Sequence, residues 1–189
     1  MQMIHGLDRQ VKNNLKHIHP GHKARYDFAV SRVSGFVLDA ACGVGYGSKM
    51  MDEVADVTGI DTCPEAIDYA REHWAGPNYI LHDIETWEPQ KFDWVVSFET
   101  IEHLERPELA LSAFRASDKL IISTPNEEKT PFKPEKHLGD YPHQRHYTPD
   151  EFEALLTGAG WKVKERLGQE KKMSPVTRCS GVFLVWVCE

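Results

Sequence analysis

Residues 37–47, VLDAACGVGYG, decide the fold of this chain. A short apolar run carries one acidic residue, Asp39, and three glycines follow at alternate positions, beginning at Gly43. This order predicts a buried parallel strand, then a tight turn whose backbone approaches a ligand closely, then a helix.

The chemistry of this turn argues against a dinucleotide ligand. The dinucleotide fingerprint needs a third glycine at the position where this chain has Ser48. The carboxylate of Asp39 would also repel a pyrophosphate, whereas it would attract an ammonium group. The turn therefore suits a nucleoside that carries a cationic, amino-acid-like tail.

The turn resembles motif I of the class I S-adenosylmethionine (SAM) methyltransferases, in which the acidic residue faces the methionyl amino group of the cofactor. The resemblance runs from His22 to the helix that begins at Thr148, and it is to the UbiG/UbiE-like bacterial branch. It implies a Rossmann-like methyltransferase fold, SAM as the methyl donor and S-adenosylhomocysteine (SAH) as the product.

Apolar strand patterns alternate with helical patterns along most of the chain. Strands are predicted at 36–40, 55–60, 78–82, 92–98, 119–124, 161–167 and 181–188, and helices at 8–33, 45–53, 64–74, 106–115 and 149–158. The alternation predicts an α/β fold with a doubly wound, mainly parallel sheet. The last two strands are joined by a polar loop, so we expect seven strands with an antiparallel strand near the C-terminal end.

Length and composition limit the remaining properties. The 189 residues fit a single domain, 1–189, with residues 1–33 as an N-terminal helical cap. The net charge of −7 counts against broad nucleic-acid binding, and no apolar run is long enough to predict a membrane span. The four cysteines lack metal-type spacing, which predicts reduced thiols in a cytoplasmic protein.

Residues at the strand ends are candidates for cofactor binding. Asp61 ends the second strand and is expected to accept hydrogen bonds from both ribose hydroxyls. By resemblance, Asp83 would accept from the adenine amino group and the Ile84 amide would donate to a ring nitrogen. A purely structural role stays open for both acids, since each also suits the start of a helix.

The segment before the glycine turn resembles a His-x-x-Arg-Tyr pattern found ahead of motif I in one bacterial branch of the family. Arg25 would bind the methionyl carboxylate and Tyr26 would close over the site, although a surface helix explains both residues equally simply. The expected cofactor-binding residues are Arg25, Tyr26, Asp39, Ala41, Gly43, Gly45, Tyr46, Asp61, Thr62, Asp83, Ile84 and Phe98.

Catalytic candidates follow the fourth strand. If a helix begins there, Glu99, Glu102 and His103 share one face at spacings i, i+3 and i+4. We expect His103 to act as a general base and Glu99 as its carboxylate partner, without a metal. In one alternative, Glu99, Glu102, His103 and His143 bind a divalent metal, as in the RNA 2′-O-methyltransferases that act on a 3′-terminal ribose. In the other alternative, these side chains only stabilise the N-terminus of a helix.

Residues 125–147 are rich in proline, histidine and tyrosine, and we expect them to form the substrate lid. The useful members of the lid would be His137, Tyr141, His143, His146 and Tyr147. The whole pattern predicts methyl transfer from SAM to an oxygen or nitrogen of a small-molecule, sugar or nucleotide acceptor. The alternatives are metal-dependent methylation of RNA, which the acidic charge counts against, and a non-catalytic SAM-binding partner subunit.

Overall fold

The order of strands and helices follows the predicted alternation. The structure is a computed structural model, and it describes residues 18–136 and 142–189. Its strands are β1 Phe36–Ala40, β2 Asp56–Asp61, β3 Asn78–Leu81, β4 Trp94–Phe98, β5 Lys119–Pro125, β6 Val163–Gln169, β7 Val176–Thr177 and β8 Phe183–Cys188. Its α-helices are α1 Pro20–Val30, α2 Tyr46–Met51, α3 Pro64–His73, α4 Pro107–Phe114 and α5 Pro149–Gly158, and its 3₁₀ turns are Ile84–Thr86, Ile101–His103 and Pro134–Lys136.

All the strands form one mixed sheet in the order β3-β2-β1-β4-β5-β8-β6-β7. Strands β1 to β5 pair in parallel, and β8 lies antiparallel between β5 and β6, which confirms the predicted fold class. The prediction of seven strands missed β7, which pairs antiparallel with the end of β6. A strand of two residues is too short to leave an alternating pattern in the sequence.

Proline and a capping box fix where several helices begin. Helices α1, α3, α4 and α5 each carry proline in the first turn, where the missing N–H costs nothing. At the start of α5, the Thr148 hydroxyl accepts from the Glu151 amide at 3.3 Å, and the Glu151 carboxylate accepts from the Thr148 amide at 2.9 Å. The helix predicted over residues 8–33 begins at Pro20 in the described residues, and residues 1–17 of the predicted cap lie outside them.

Both faces of the sheet are covered. Val37 of β1 packs into one apolar cluster with α1, α2 and α3, while the next residue, Leu38, packs into a second cluster with α4 and α5. Strands buried on both sides are apolar throughout, which is why they appear in the sequence as short continuous runs. None of the helices in the described part of the chain has the length and apolar character needed to cross a membrane.

Helix α1 packs directly on the glycine turn. The ring of Tyr26 lies over Gly47, and a Cβ added there would be 2.0 Å from the Tyr26 Cζ atom. The Tyr26 ring also makes an edge-to-face contact with Phe98, with 5.1 Å between the ring centroids. The third glycine of the turn is therefore required by packing of the helical cap.

We expect Gly47→Ala to lower the free energy of unfolding by about 1–3 kcal/mol, because the added methyl group displaces the Tyr26 ring. Urea denaturation followed by tryptophan fluorescence measures the change. Gly158→Ala is the matched control, since no atom lies within 4 Å of the added Cβ. Equal effects of the two substitutions would contradict the packing role of Gly47.

Candidate functional site

The carboxyl ends of the parallel strands bring the glycine turn and the end of β2 together. The Asp61 carboxylate accepts from the Gly43 amide at 2.8 Å and from the Cys63 amide at 2.9 Å. Asp61 therefore holds the turn after β1 and the start of α3 in one place. Thr62, the next residue, is exposed at this edge. A ribose contact by Asp61 stays a prediction.

Asp39 is fully buried beneath the turn. Its carboxylate accepts from the Ser48 hydroxyl at 2.6 Å and from the Tyr26 hydroxyl at 3.2 Å. The pKa of Asp39 is raised to about 7. Burial is the main cause, the charge of Asp61 adds to it, and the two hydrogen bonds oppose it. A cation placed beside this carboxylate would lower its pKa again, which fits the predicted ammonium contact.

The turn itself faces open space at its first glycine. Gly43 has φ +56°, and no atom of residues 18–136 or 142–189 lies within 4 Å of the position that a Cβ would occupy. Ala41, just before it, also has a positive φ of 64°, which is uncommon for a residue with a side chain. At Gly45, in contrast, a Cβ would be 2.7 Å from that of Ala70. Of these two glycines, Gly43 is the one whose missing side chain leaves room for a ligand.

Arg25 and Tyr46 lie on the side of the turn covered by α1. Arg25 is only 1% exposed, and its Nη1 donates to the Gln169 side-chain oxygen at 2.5 Å. The Tyr46 hydroxyl is 2.8 Å from Nδ1 of His22. Burial, with a smaller contribution from the charge of Arg25, lowers the pKa of His22 to about 3, so this imidazole is neutral.

The residues predicted to contact adenine lie after β3. The exposed Asp83 accepts from the Glu85 amide at 2.9 Å and so begins the 3₁₀ turn that contains the buried Ile84. The structural role considered for Asp83 is thus present. Its contact with adenine, and that of the Ile84 amide, stay predictions.

The segment after β4 differs from the predicted helix. Ile101–His103 forms a single 3₁₀ turn, and Glu99 precedes it with φ +53°. Glu99, Glu102 and His103 therefore do not share the face of an α-helix. The Glu99 carboxylate instead accepts from the Ser123 hydroxyl at 2.7 Å.

Three of the four candidate metal ligands do converge. One ligand atom from each of Glu102, His103 and His143 lies within 4.8 Å of the other two, and Glu99 is not in this group. Glu102 is fully buried. One of its carboxylate oxygens accepts from the Thr124 hydroxyl at 3.3 Å, and within the described ranges the other has no hydrogen-bond partner. Burial, followed by the charge of Glu99, raises the pKa of Glu102 well above its usual range. Such a group suits a proton or a cation.

Carbonyl groups of the segment 125–147 fix the tautomers of these histidines. A carbonyl oxygen only accepts, so Nδ1 of His146 donates to the Thr130 carbonyl at 2.6 Å. Its Nε2 then accepts from Nδ1 of His143 at 2.8 Å, and Nδ1 of His103 donates to the Pro142 carbonyl at 3.3 Å. In their neutral forms, His103 and His143 both carry the lone pair on Nε2.

The expected lid is described in part, since His137 and Tyr141 lie outside the described residues. Its two ends meet, because the Glu127 amide donates to the Tyr147 carbonyl at 2.9 Å. Two of the predicted lid histidines are described. His143 belongs to the cluster with Glu102, and His146 contacts His143.

From the sequence, no role was predicted for several residues that hold the site. These are His22, Ser48, Ser123, Thr124 and Gln169. Ser48 carried a usable signal, because it replaces the third glycine of a dinucleotide fingerprint within one helical turn of the glycines. Gln169 carried none, since it lies more than a hundred residues from its partner Arg25.

Comparisons with known proteins agree with this geometry. Residues 38–116 match the family model described as a methyltransferase domain. A "probable S-adenosylmethionine-dependent methyltransferase" of Mycolicibacterium smegmatis is 31% identical over 157 residues, which cover 78% of this chain and 60% of that protein. Over the matched residues, the chain is homologous to the class I SAM-dependent methyltransferases.

Two further similarities concern a curated relative and a solved structure. The ubiquinone biosynthesis O-methyltransferase of Xanthomonas campestris is 31% identical over 133 residues, covering 62% of this chain and 55% of that protein. The chain thus spans little more than half the length of these two relatives. The magnesium protoporphyrin IX methyltransferase of Synechocystis, solved with bound SAH, has the same fold, with a TM-score of 0.69 at 18% identity, covering 95% of this chain and 88% of that one.

The buried carboxyl of Asp39 predicts how the stability of the protein changes with pH. Its folded-state pKa of about 7 lies above the ordinary value, so between about pH 4 and pH 7 the folded state binds more protons than the unfolded chain. The free energy of unfolding therefore falls as pH rises through this window, by an amount on the order of a few kcal/mol.

We expect Asp39→Asn to flatten the pH dependence, measured by urea denaturation at several pH values from 4.5 to 8. Asp83→Asn, a change at an exposed carboxylate, is the control and should leave the slope of the wild type. A slope that persists in Asp39→Asn would show that other groups carry it.

Proposed function

We propose that this chain transfers the methyl group of SAM to an oxygen or nitrogen of a small-molecule acceptor. The observation that carries the proposal is the open front of Gly43, whose amide donates to Asp61, in the turn that follows the buried Asp39 at the carboxyl edge of the sheet. The Glu102 and histidine cluster follows β4 at the same edge. A donor site and a proton-accepting site thus lie at the strand ends where ligands of this fold collect.

The proposed arrangement of SAM follows the charges around the turn. Its ammonium group lies toward Asp39, its carboxylate toward Arg25 and its ribose toward Asp61. The sulfonium group already activates the methyl group, so the protein contributes mainly alignment and exclusion of water. The remaining task is to remove a proton from the acceptor.

His103 is the proposed general base. Its Nδ1 proton is held by the Pro142 carbonyl, so Nε2 carries the lone pair that would accept the proton of a hydroxyl or amine. Glu99 keeps a second carboxylate at this end of the site, beside Ser123. A hydroxyl acceptor agrees with what the name of the Xanthomonas relative states of that protein.

A metal-assisted reaction is the second candidate, favoured by the partnerless oxygen of the buried Glu102. Glu102, His103 and His143 would supply one oxygen and two nitrogen ligands, a set suited to Mn²⁺, Zn²⁺ or a similar cation. A bound cation would lower the pKa of the acceptor hydroxyl. Glu99, the fourth ligand of the RNA-modifying pattern, lies outside this group.

Small-molecule acceptors fit this surface better than RNA does, because the chain has a net charge of −7 and carboxylates follow β4. The intact Glu102 and histidine cluster counts against a non-catalytic subunit. No disulfide joins the four cysteines, all of which lie in the described residues, and this fits the proposed cytoplasmic location.

We expect the protein to bind SAH in isothermal titration calorimetry and to bind neither ATP nor NAD, because Asp39 and Asp61 repel phosphate groups. Binding of ATP or NAD in place of SAH would overturn the assignment of the donor site.

We expect His103→Asn to slow methyl transfer by about 100-fold while the Kd for SAH changes by less than about threefold, because a general base contributes to the reaction and not to donor binding. The assay follows SAH formation from SAM across a panel of phenols, sugars and amines. His73→Asn, an exposed histidine of α3, is the control. Equal losses of rate and SAH affinity would contradict the role of a base.

The metal candidate has its own test, which needs no acceptor. If the cluster binds a cation, Mn²⁺ or Zn²⁺ raises the Tm of the wild type by about 5 °C and leaves that of Glu102→Gln unchanged. Glu105→Gln, an exposed neighbour, is the control and should respond like the wild type. Absence of any shift in the wild type removes the metal candidate.

A further inference from the structure

Gln169, the last residue of β6, joins three parts of the molecule. It is fully buried, and its side-chain oxygen accepts from Nη1 of Arg25. Its side-chain nitrogen donates to the Gly21 carbonyl at 3.1 Å and to the Ser174 carbonyl at 2.6 Å. The side chain thus connects α1, the strand β6 and the loop that follows β6.

The two carbonyls fix the orientation of the Gln169 amide. Carbonyl oxygens only accept, so the amide atom that faces Gly21 and Ser174 is the nitrogen, and the atom that faces Arg25 is the oxygen. An amide flip would set two carbonyls against the oxygen and the guanidinium against the nitrogen. Gln169 therefore presents a fixed neutral acceptor to Arg25.

Arg25 keeps unused binding capacity in this setting. Its guanidinium lies over the ring of Phe183, 4.7 Å from the ring centroid, and its buried Nε–H has no hydrogen-bond partner among the residues that the structure describes. Its partner Gln169 is neutral and leaves the positive charge in place. A buried donor without a partner costs free energy, and a carboxylate is the group that matches the fork of donors on an arginine.

We propose that Gln169 is a positioning residue that orients Arg25 toward the carboxylate of the donor. This inference rests on the proposed function, because the carboxylate belongs to SAM or SAH. The amide holds one side of the guanidinium and Phe183 holds its face, so that the orientation of the guanidinium is fixed. Selectivity for a donor that carries a carboxylate thus depends on a residue of β6, far along the chain from the glycine turn.

The test compares two ligands by calorimetry. SAH is one, and the other is its decarboxylated analogue, which keeps the adenosine, the sulfur and the amine but lacks the carboxylate. In the wild type, we expect SAH to bind at least about tenfold more tightly than the analogue. In Gln169→Met, which removes the acceptor and keeps the length of the side chain, this preference falls about tenfold. Gln90→Met, at an exposed glutamine, should keep it.

A second variant covers a failure of Gln169→Met to fold, which thermal unfolding reveals. Gln169→Glu places a carboxylate against Arg25, neutralises its charge and should also reduce the preference for SAH. If either folded variant binds SAH with the wild-type preference, or weakens both ligands equally, Gln169 is only structural and the inference is overturned. Failure of the wild type to bind either ligand overturns the proposed function instead.

Discussion

The buried carboxylate of Asp39 is the constraint on which the donor side of the molecule depends. A carboxylate in a protein interior is costly unless donors surround it, and the hydroxyls of Ser48 and Tyr26 supply them. These two donors belong to α2 and α1, so one acidic residue of β1 ties both helices to the sheet. Because Tyr26 must reach Asp39 across Gly47, the packing of the helical cap and the glycine pattern have a common cause.

Opposite charges occupy different parts of the site. Arg25 and the neutral His22 belong to α1, and Arg25 contacts the neutral Gln169, whereas Glu99 and Glu102 follow β4. The charge of Arg25 slightly favours the ionised form of Glu102, yet burial outweighs it. A ligand with an anionic tail and a reacting centre that loses a proton matches this separation. The charge pattern therefore supports the same orientation of the donor as the glycine turn does.

The sequence was sufficient where local chemistry decides the structure and insufficient where distant residues meet. Continuous apolar runs predicted the buried strands, and the prolines predicted the starts of α3 and α5. The spacing of Glu99, Glu102 and His103 would fit a helix after β4. Glu99 instead has a positive φ, which is not helical, and its carboxylate contacts Ser123 of β5. The contacts of Arg25 with Gln169 and of His143 with His146 depend on tertiary packing, which the periodicity of the sequence does not indicate.

The histidines link the chemistry of the acceptor end to the order of the segment 125–147. His143 and His146 belong to that segment, and the carbonyls of Thr130 and Pro142, which fix the ring protons, belong to it as well. Displacement of the segment would remove both the His143 ligand atom and the carbonyl that orients His103. A base, or a metal-binding set, is then complete only when this segment lies against the 3₁₀ turn after β4, where the Gln144 amide donates to the Glu102 carbonyl at 2.7 Å. Covering the acceptor and activating it would thus be one structural event.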